Sequence, residues 1–455
     1  MKAKPLRHRF RTRLGLLLGS ALAVTLASAA VAEQPMDLSD VYQLALEQDP
    51  VLRASESRLR AGSELLPQAR SALLPSISLD ADSSRVTEGR DGFSDTTSRS
   101  DWSAGVNLVQ PLVRIEVFAL RDRALLEIDQ AALRVGQARQ DVLLRAAQTY
   151  FDVLLAQDQI ASLDAEQRAI STELRRARRA LEVGTGTITD VNDAQARFDL
   201  VEASILQADN RLQIARESLR RLIGRSPGSL AGLRAGFVAE PPLPVDPAVW
   251  AERAENDNLN VIQAENAARV AGEDLRIEEA GRLPRVDLIA GVNRASRADP
   301  FGGTAERDTG RIGVRLEMPL YTGGATQSRI RQREAEQDAT FEDRIDARRQ
   351  AGLQAESAYL NLLSTQRRIA ALEQALRSIA STEESTRRGV EVGLRTTLDL
   401  LNTQRDRFET ERTLAEARYS YLLEYLQLQV LVGGGLDGSS IDDVNFFLGN
   451  DDTTP

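Results

Sequence analysis

The sequence lacks cysteine altogether, and its only histidine is His8. Without cysteine there can be no disulfide, no thiolate metal site and no lipid-bearing N-terminal cysteine. The first 13 residues hold six basic residues and no acid, and an apolar stretch from Leu14 to about Ala29 follows. The small residues Ala30-Val31-Ala32 come next. This order predicts a secretory signal peptide at residues 1–32, cleaved after Ala32.

A mature chain that begins at residue 33 would contain neither histidine nor cysteine. These side chains most often perform acid–base, nucleophilic and zinc chemistry. We therefore predict a protein that is not an enzyme and binds neither cofactor nor metal. Loss of the six basic residues changes the formal net charge from −10 to −16. This balance argues against a nucleic-acid partner, which requires a basic patch.

After the signal, no segment approaches the roughly 18–20 uninterrupted apolar residues of a membrane-spanning helix. Four shorter segments instead alternate apolar and polar residues, as strands do when one face is apolar and the other wet. We predict strands at about 75–84, 101–110, 285–294 and 310–319, with solvent loops over Ser83–Asp101 and Asn293–Gly310. Four strands are too few to close a barrel, which needs about eight. Either the sheet packs on the chain's own helices, or several chains pool their strands.

The chain repeats itself at a constant spacing of 209 residues, as 283 − 74 and 359 − 150 both give. Leu74-Pro75 recurs as Leu283-Pro284, Tyr150 as Tyr359, and Val183-Gly184 as Val392-Gly393. Landmarks that keep one spacing over so long a stretch indicate duplication. We predict the following divisions: a first repeat at 33–224, a proline-rich linker at 225–248, a second repeat at 249–433, and a partly disordered tail at 434–455.

Each repeat is predicted to begin with a helix, continue through two strands and end in two long helices. Apolar residues recur at steps of three and four over most of the first long helix, as in a coiled-coil seam. At 1.5 Å per residue each long helix would reach about 100 Å. The predicted long helices span about 112–183 and 322–392, and the return helices about 187–223 and 396–432. A chain of this size has no core that could bury such helices, so they must pack on each other and on neighbouring chains.

Matching motifs mark the turns between the paired helices. Gly184 and Gly393 suit the left-handed conformation that ends a helix. Thr187 with Asp190, and Thr396 with Asp399, have capping-box spacing. Two interpretations stay open and can hold together. The aspartates cap helices, or several chains repeat them around an axis as an acidic ring that selects cations and holds a gate.

Several motifs resemble the TolC family of outer-membrane efflux proteins. They are Tyr150-Phe151, Val183-Gly184 with Thr189-Asp190, Pro319-Leu320-Tyr321-Thr322-Gly323-Gly324 and Arg418-Tyr419-Ser420-Tyr421-Leu422. The resemblance implies an α+β membrane protein of a Gram-negative outer membrane. It implies a homotrimer whose twelve-stranded β-barrel, with four strands from each chain, lies in outer-membrane lipid and continues as a periplasmic α-helical barrel. The implied partners are a periplasmic adaptor (membrane fusion) protein and an inner-membrane RND, ABC or MFS transporter.

The resemblance also implies roles for residues at the helix tips. The implied periplasmic gate consists of Thr189, Asp190, Arg395, Asp399 and Asn402, to which we add Asp193, the match of Asn402 in the first repeat. The implied docking turns for an adaptor are Val183, Gly184 and Thr185 with Val392, Gly393 and Leu394. Asn402 stands where the family has a second aspartate, and Val390 where it has a tyrosine. We therefore expect a less tightly latched closed state.

The predicted function is an outer-membrane exit duct of a tripartite efflux pump or a type I secretion system, gated at the helix tips. The alternative is a periplasmic coiled-coil adaptor or scaffold of an export complex that never enters the membrane. Adaptors also carry long helical hairpins. They usually have one hairpin, not two in register, and they lack the alternating strands.

Overall fold

The computed structural model describes residues 35–89, 96–234, 236–299, 303–434 and 439–449. The predicted signal peptide, residues 1–32, lies outside the described residues. Within these described ranges, every helix is too short or too polar to traverse a bilayer.

Two copies of one order of elements make up the described chain. The first copy contains α1 Leu38–Gln48, α2 Pro50–Ser63, α3 Leu65–Ser71, β1 Ser76–Gly89, β2 Thr96–Val113, α4 Glu116–Glu182 and α5 Ile188–Ile223. The second contains α6 Pro247–Asp257, α7 Leu259–Ala280, β3 Arg285–Asp299, β4 Gly303–Glu317, α8 Ala325–Glu391 and α9 Thr397–Leu431, and α10 Ser439–Asn445 follows. The two longest helices, α4 and α8, begin and end at matching positions of the two repeats. The predicted duplication is confirmed.

The four strands form one antiparallel sheet in the order β1-β2-β3-β4. All four are longer than predicted, because most of each stretch predicted as a loop is strand: β1 pairs with β2 from Ser76↔Val109 to Gly89↔Thr96, and β3 with β4 from Arg285↔Glu317 to Asp299↔Gly303. Glycine, serine and aspartate suggested turns there. Their backbone groups are nevertheless satisfied by the ladder, and pairing outweighs the weak strand propensity of these residues.

The predicted starts of the two longest helices were also wrong by three or four residues. Pro111 lies inside β2, beside a bulge between Pro111 and Val113, where a strand tolerates proline. The helix α4 therefore begins at Glu116. Before α8, Gly323 and Gly324 have positive φ angles of 64° and 85°, so the helix begins only at Ala325.

One face of the sheet is apolar across all four strands, with rows such as Leu79↔Val106 and Val106↔Val292. Its apolar side chains are largely exposed in the single chain, among them Ile77 and Val314. The opposite face is polar, and there Asn107 donates to the Asp80 carboxylate over 2.6 Å. A sheet with one apolar and one polar surface is therefore present, and the chain's own helices do not cover the apolar one.

The helices form two long hairpins, α4 with α5 and α8 with α9, and α4 also packs against α9. Each of α4 and α8 has 67 residues, which corresponds to about 100 Å. A buried cluster that includes Leu163, Ile170 and Val201 fills the seam of the first hairpin. The predicted coiled-coil seam is thus the contact between paired helices.

The main core lies where the shorter helices pack on the long ones, and a buried tyrosine marks it in each repeat. The Tyr150 hydroxyl donates to the carbonyl oxygens of Ala231 (2.6 Å) and Met36 (3.2 Å). The Tyr359 hydroxyl donates to the carbonyl oxygen of Val245 over 2.6 Å. Met36 and Val245 themselves occupy matching positions of the two repeats, so the duplication extends to single hydrogen bonds.

The linker ends slightly earlier than predicted, and the tail contains one folded helix. The second repeat already begins at Pro247, the first residue of α6, so the linker is shorter than 225–248. In the tail predicted to be partly disordered, α10 is folded: it buries Ile441 and Val444, and the Leu38 amide donates to the Asn445 side chain. Leu448 is buried in the same core, and Phe447 packs against it, so a few apolar residues anchor this segment.

Candidate functional site

The candidate site is the free end of the two helix hairpins, where two turns of the same geometry reverse the chain. Gly184 and Gly393 have φ angles of +78° and +74°, which favour glycine at the end of a helix. In the first turn the Thr185 amide donates to the Ala180 carbonyl over 2.9 Å, and in the second the Leu394 amide donates to Gly389 over 2.8 Å. The predicted turn residues therefore occupy the tip, where Val183, Val392 and Leu394 are exposed.

Both return helices begin with a complete capping box. The Asp190 carboxylate accepts from the Thr187 amide (3.1 Å) and hydroxyl (2.7 Å), and the Asp190 amide donates to the Thr187 hydroxyl. Thr396 and Asp399 exchange the same pair of backbone bonds at 3.0 and 3.1 Å. The capping interpretation of both aspartates agrees with this geometry.

The Asp399 carboxyl has a lowered pKa. Hydrogen bonds from the Thr396 amide and hydroxyl stabilise the carboxylate, and the positive charge of Arg395 adds to them. Its negative charge lies at the helix N-terminus, where the helix dipole also favours an anion. Asp399 is therefore a structural anion at the tip even though it remains in contact with solvent.

The other predicted gate residues do not form a single cluster within one chain. Thr189 and Arg395 are exposed, and Asp193 is partly buried. The Asn402 side chain accepts from Arg197 of α5 over 2.7 Å, and so joins the two return helices. Within the described residues, Arg395 forms no ion pair. Its positive charge nevertheless helps to lower the pKa of Asp399.

Gly186 of the first turn and Arg395 of the second occupy matching positions but differ in size and charge, and the structure gives the reason. A Cβ on Gly186 would lie 2.9 Å from the Cβ of Ala180, and one on Gly389 would lie 2.8 Å from the Cγ of Arg395. Positions 180 and 389 match, as do 186 and 395. Each turn therefore has room for a side chain at only one of these two positions. The first repeat has it at the earlier position, as Ala180, and the second at the later one, as Arg395.

Buried carboxylates along the hairpins were missed by sequence reasoning. Glu166 of α4 pairs with Arg412 of α9 over 2.8 Å and joins the two hairpins. Glu383 of α8 pairs with Arg387 (2.5 Å) and with Arg407 of α9 (2.7 Å). Both acids lie at seam positions in the three-and-four spacing, and an acid at such a position was the signal that could have revealed them.

The family model described as "Outer membrane efflux protein" matches residues 41–225 and again residues 250–434. The chain belongs to this family. Each match covers one structural repeat, from its first helix to the end of its return helix. Family membership places the chain in the outer membrane of a Gram-negative bacterium, and the predicted resemblance to the TolC family is confirmed.

Named relatives of the chain include outer-membrane and secretion proteins. It is 34% identical to the outer membrane protein TolC of Vibrio cholerae serotype O1 over 443 residues, which cover 95% of this chain and 97% of that protein. It is 28% identical to the alkaline protease secretion protein AprF of Pseudomonas aeruginosa, over 88% of this chain and 84% of that protein. The family thus contains exit ducts of efflux and of type I secretion systems, the function class that the sequence predicted.

Solved structures show the same fold. A crystal structure of CusC matches with a TM-score of 0.75 at 17% identity, over 88% of this chain and 92% of that chain. The outer membrane protein VceC from Vibrio cholerae matches with a TM-score of 0.69 at 20% identity, over 88% and 96%. The predicted fold class, a channel subunit with a four-stranded sheet and a helical barrel, is confirmed.

Proposed function

We propose that this chain forms, as a homotrimer, the exit duct of a tripartite efflux pump or a type I secretion system. The observation that carries the proposal is that one chain combines an uncovered apolar sheet face with two very long helix hairpins. An uncovered apolar sheet face suits lipid, and helix hairpins of about 100 Å suit a tunnel across the periplasm. The partners are a periplasmic adaptor and an inner-membrane RND, ABC or MFS transporter.

Exposed apolar side chains on the outer helices support association between copies. Leu206 on α5 and Leu353 on α8 are both largely exposed in the single chain. Scattered exposed leucines are ordinary, but helices this long have no other way to bury their second face. Packing α5 and α8 against neighbouring chains would close a tube of helices.

The tip acids are proposed to gate this tube. In a trimer, Asp190, Asp193 and Asp399 would each recur around the axis, and such rings attract cations and repel one another. Arg395, Asn402 and Thr189 would supply the opposing charge and hydrogen-bonding groups. With Val390 in place of a tyrosine, we expect a gate held by few contacts.

The two tip turns are proposed as the docking surface for the adaptor. Val183, Val392 and Leu394 are 73%, 69% and 81% exposed, and an apolar knob on a rigid turn is a typical anchor for a partner. The turns that present these apolar side chains are shaped by Gly184, Thr185 and Gly393. Neighbouring charged residues keep the rest of the tip hydrated.

The proposal is tested by expression in a Gram-negative host that lacks its own duct. We expect detergent-extracted trimers in the outer-membrane fraction and restored export. Val392→Asp with Leu394→Asp should abolish export and leave the trimers intact, because the turn is solvent-facing. Val392→Leu, the matched control, should export normally. A soluble periplasmic species, or full export by the double aspartate variant, would contradict the duct or the docking surface respectively.

A further inference from the structure

The outer strands β1 and β4 are the two edges of the sheet, and within the described chain each is paired on one side only. Their polar-face charges are opposite in sign. The β4 strand carries Arg307, Arg311 and Arg315, which are exposed and form no ion pair among the described residues. The β1 strand carries Asp80 and Asp82. Unpaired edges with charged side chains resist indiscriminate strand pairing.

The seam between the two repeats, β2 against β3, has a different character. Asn107 lies opposite Gly291, and Gly105 opposite Asn293. A Cβ on Gly291 would lie 2.7 Å from the Asn107 Oδ1, and one on Gly105 would lie 3.1 Å from the Asn293 Oδ1. Each asparagine therefore lies over the glycine that faces it. At these positions the internal seam is uncharged and close-fitting, whereas ion pairs cross it nearer its ends, at Arg114–Asp287 and Arg297–Asp101.

The duplication relates this internal seam to the two free edges. Strands β1 and β3 begin at matching positions of the two repeats, so Asp82 matches Gly291 and Ser84 matches Asn293. In the hairpins, Asp80↔Gly105 matches Ile289↔Gly313, so Gly105 matches Gly313 and Asn107 matches Arg315. The internal pairs Asn107↔Gly291 and Gly105↔Asn293 thus translate into Arg315↔Asp82 and Gly313↔Ser84.

We propose that β4 of one copy pairs with β1 of a second copy in this register, with Arg315 directly opposite Asp82. This inference rests on the proposed function, in which copies of the chain share one continuous sheet. Within a chain an uncharged asparagine–glycine pair occupies this position, and between chains an ion pair would occupy the matching position. Opposite charges directly across an antiparallel pair stabilise it, whereas two like edges repel. The charges therefore select the correct edge of the second copy.

The apolar surface continues through the same register. Ala81 would lie opposite Leu316, and Ser83 opposite Val314, so the apolar faces of both copies coincide. A slip of one residue would turn every side chain of β1 to the wrong face. Asp80 would lie opposite Glu317, and this single like-charge pair at the end of the seam is the one unfavourable contact of the register. Arg285 of β3 lies directly opposite Glu317, but its side chain pairs with Glu116 over 3.0 Å.

A slip of two residues keeps the faces and is the competing register, with Arg315 opposite Asp80 and Ser84 opposite Arg311. The absence of native cysteine allows a direct test in the full-length protein in outer membranes. Ser84→Cys combined with Gly313→Cys should give covalently linked oligomers on mild oxidation, because directly opposed positions lie within disulfide reach. At Gly313 a Cβ meets only Ile289, at 3.9 Å, so the position has room.

The matched control is Ser84→Cys with Arg311→Cys, which should stay uncross-linked, as should each single cysteine variant. Cross-linking of the control pair and not of the first pair would overturn the register. If wild-type oligomers form and export proceeds while neither pair links, the register again fails and the proposed function stands. If the wild-type chain is extracted only as a monomer, the proposed function fails as well.

Charge reversal tests the ion pair itself. Asp82→Arg or Arg315→Asp alone should lower the temperature at which oligomers dissociate in detergent. The double variant should recover most of that loss, because the pair is restored with its signs exchanged. Single variants that dissociate at the wild-type temperature, or a double variant as weak as the sum of the single ones, would refute the Asp82–Arg315 contact.

Discussion

At the scale of single residues, the tip is shaped by a contact with room for one side chain. Gly389 and Arg395 share it in the second turn, and Ala180 and Gly186 share it in the first. The sequence showed that Gly186 and Arg395 differ at matching positions. It could not show why, because the neighbours that they meet, six residues earlier, come into contact only when the turn closes.

Gly389→Ala should destabilise the second turn by about 1–3 kcal/mol, as overpacking does, because the new Cβ would meet the base of the Arg395 side chain. Gly389→Ala with Arg395→Gly should restore it by reproducing the Ala180–Gly186 arrangement. Hydrogen exchange of the turn amides measures both. Equal protection in the Gly389→Ala variant and the wild type would show that the contact has slack.

The lowered pKa of Asp399 predicts a pH dependence at the start of α9. A carboxyl whose folded pKa is depressed contributes stability above its ordinary pKa of 3.8, and this contribution is lost as the pH falls through the folded value. Rate-corrected hydrogen exchange of the first turn of α9 should therefore speed up in acid. Asp399→Asn, which keeps an acceptor without the charge, should remove that dependence. If the first turn of α9 in the wild-type protein exchanged equally fast in acid and at neutral pH, the stabilising role of the Asp399 carboxylate would be contradicted.

At the scale of the helices, the two hairpins use different chemistry at matching positions. Leu174 and Phe198 pack in the first hairpin. Their counterparts in the second are Glu383 and Arg407, paired over 2.7 Å with the Glu383 side chain only 7% exposed. A buried ion pair fixes the register of two helices but often adds little net stability. The second hairpin is therefore expected to be the less stable of the two.

Replacing the pair by the residues of the first hairpin, Glu383→Leu with Arg407→Phe, should leave stability unchanged or raise it. Arg407→Phe alone should destabilise, by less than the about 3–5 kcal/mol of a fully broken buried pair, because Arg387 still contacts Glu383. Thermal unfolding of the extracted protein compares the variants. A double variant that unfolds at a lower temperature than the wild type would show that the ion pair is stabilising.

At the scale of the whole molecule, gating is the property most open to measurement. If Arg395 holds the closed state against the acids of the tip, Arg395→Ser should raise the single-channel conductance of the purified trimer. The matched variant Arg388→Ser, on an exposed arginine of α8 that pairs with Glu384, should conduct like the wild type. Unchanged conductance in Arg395→Ser would argue against an arginine-held gate.

The sequence predicted the long helices and their turns more accurately than the ends of the strands. The length of α4, its end near Val183 and the caps at Thr187 and Thr396 all followed from local patterns. The strand ends did not, because residues such as those of Ser83–Gly89 are extended only through their partners in β2. The folded segment around Ile441 was missed for the same reason, since its apolar residues find their core far away in the chain.

The sequence by itself determined the duplication, the paired long helices, the two turns and the family, because each is written in local spacing or in motifs. Only the tertiary structure decided which residues meet: Glu383 with Arg407, Glu166 with Arg412, Gly389 with Arg395, and Asn107 and Asn293 with the glycines opposite them. The physical reason is that local patterns follow from neighbours along the chain. An ion pair, a steric contact or a strand register depends on where distant segments lie once the core has packed.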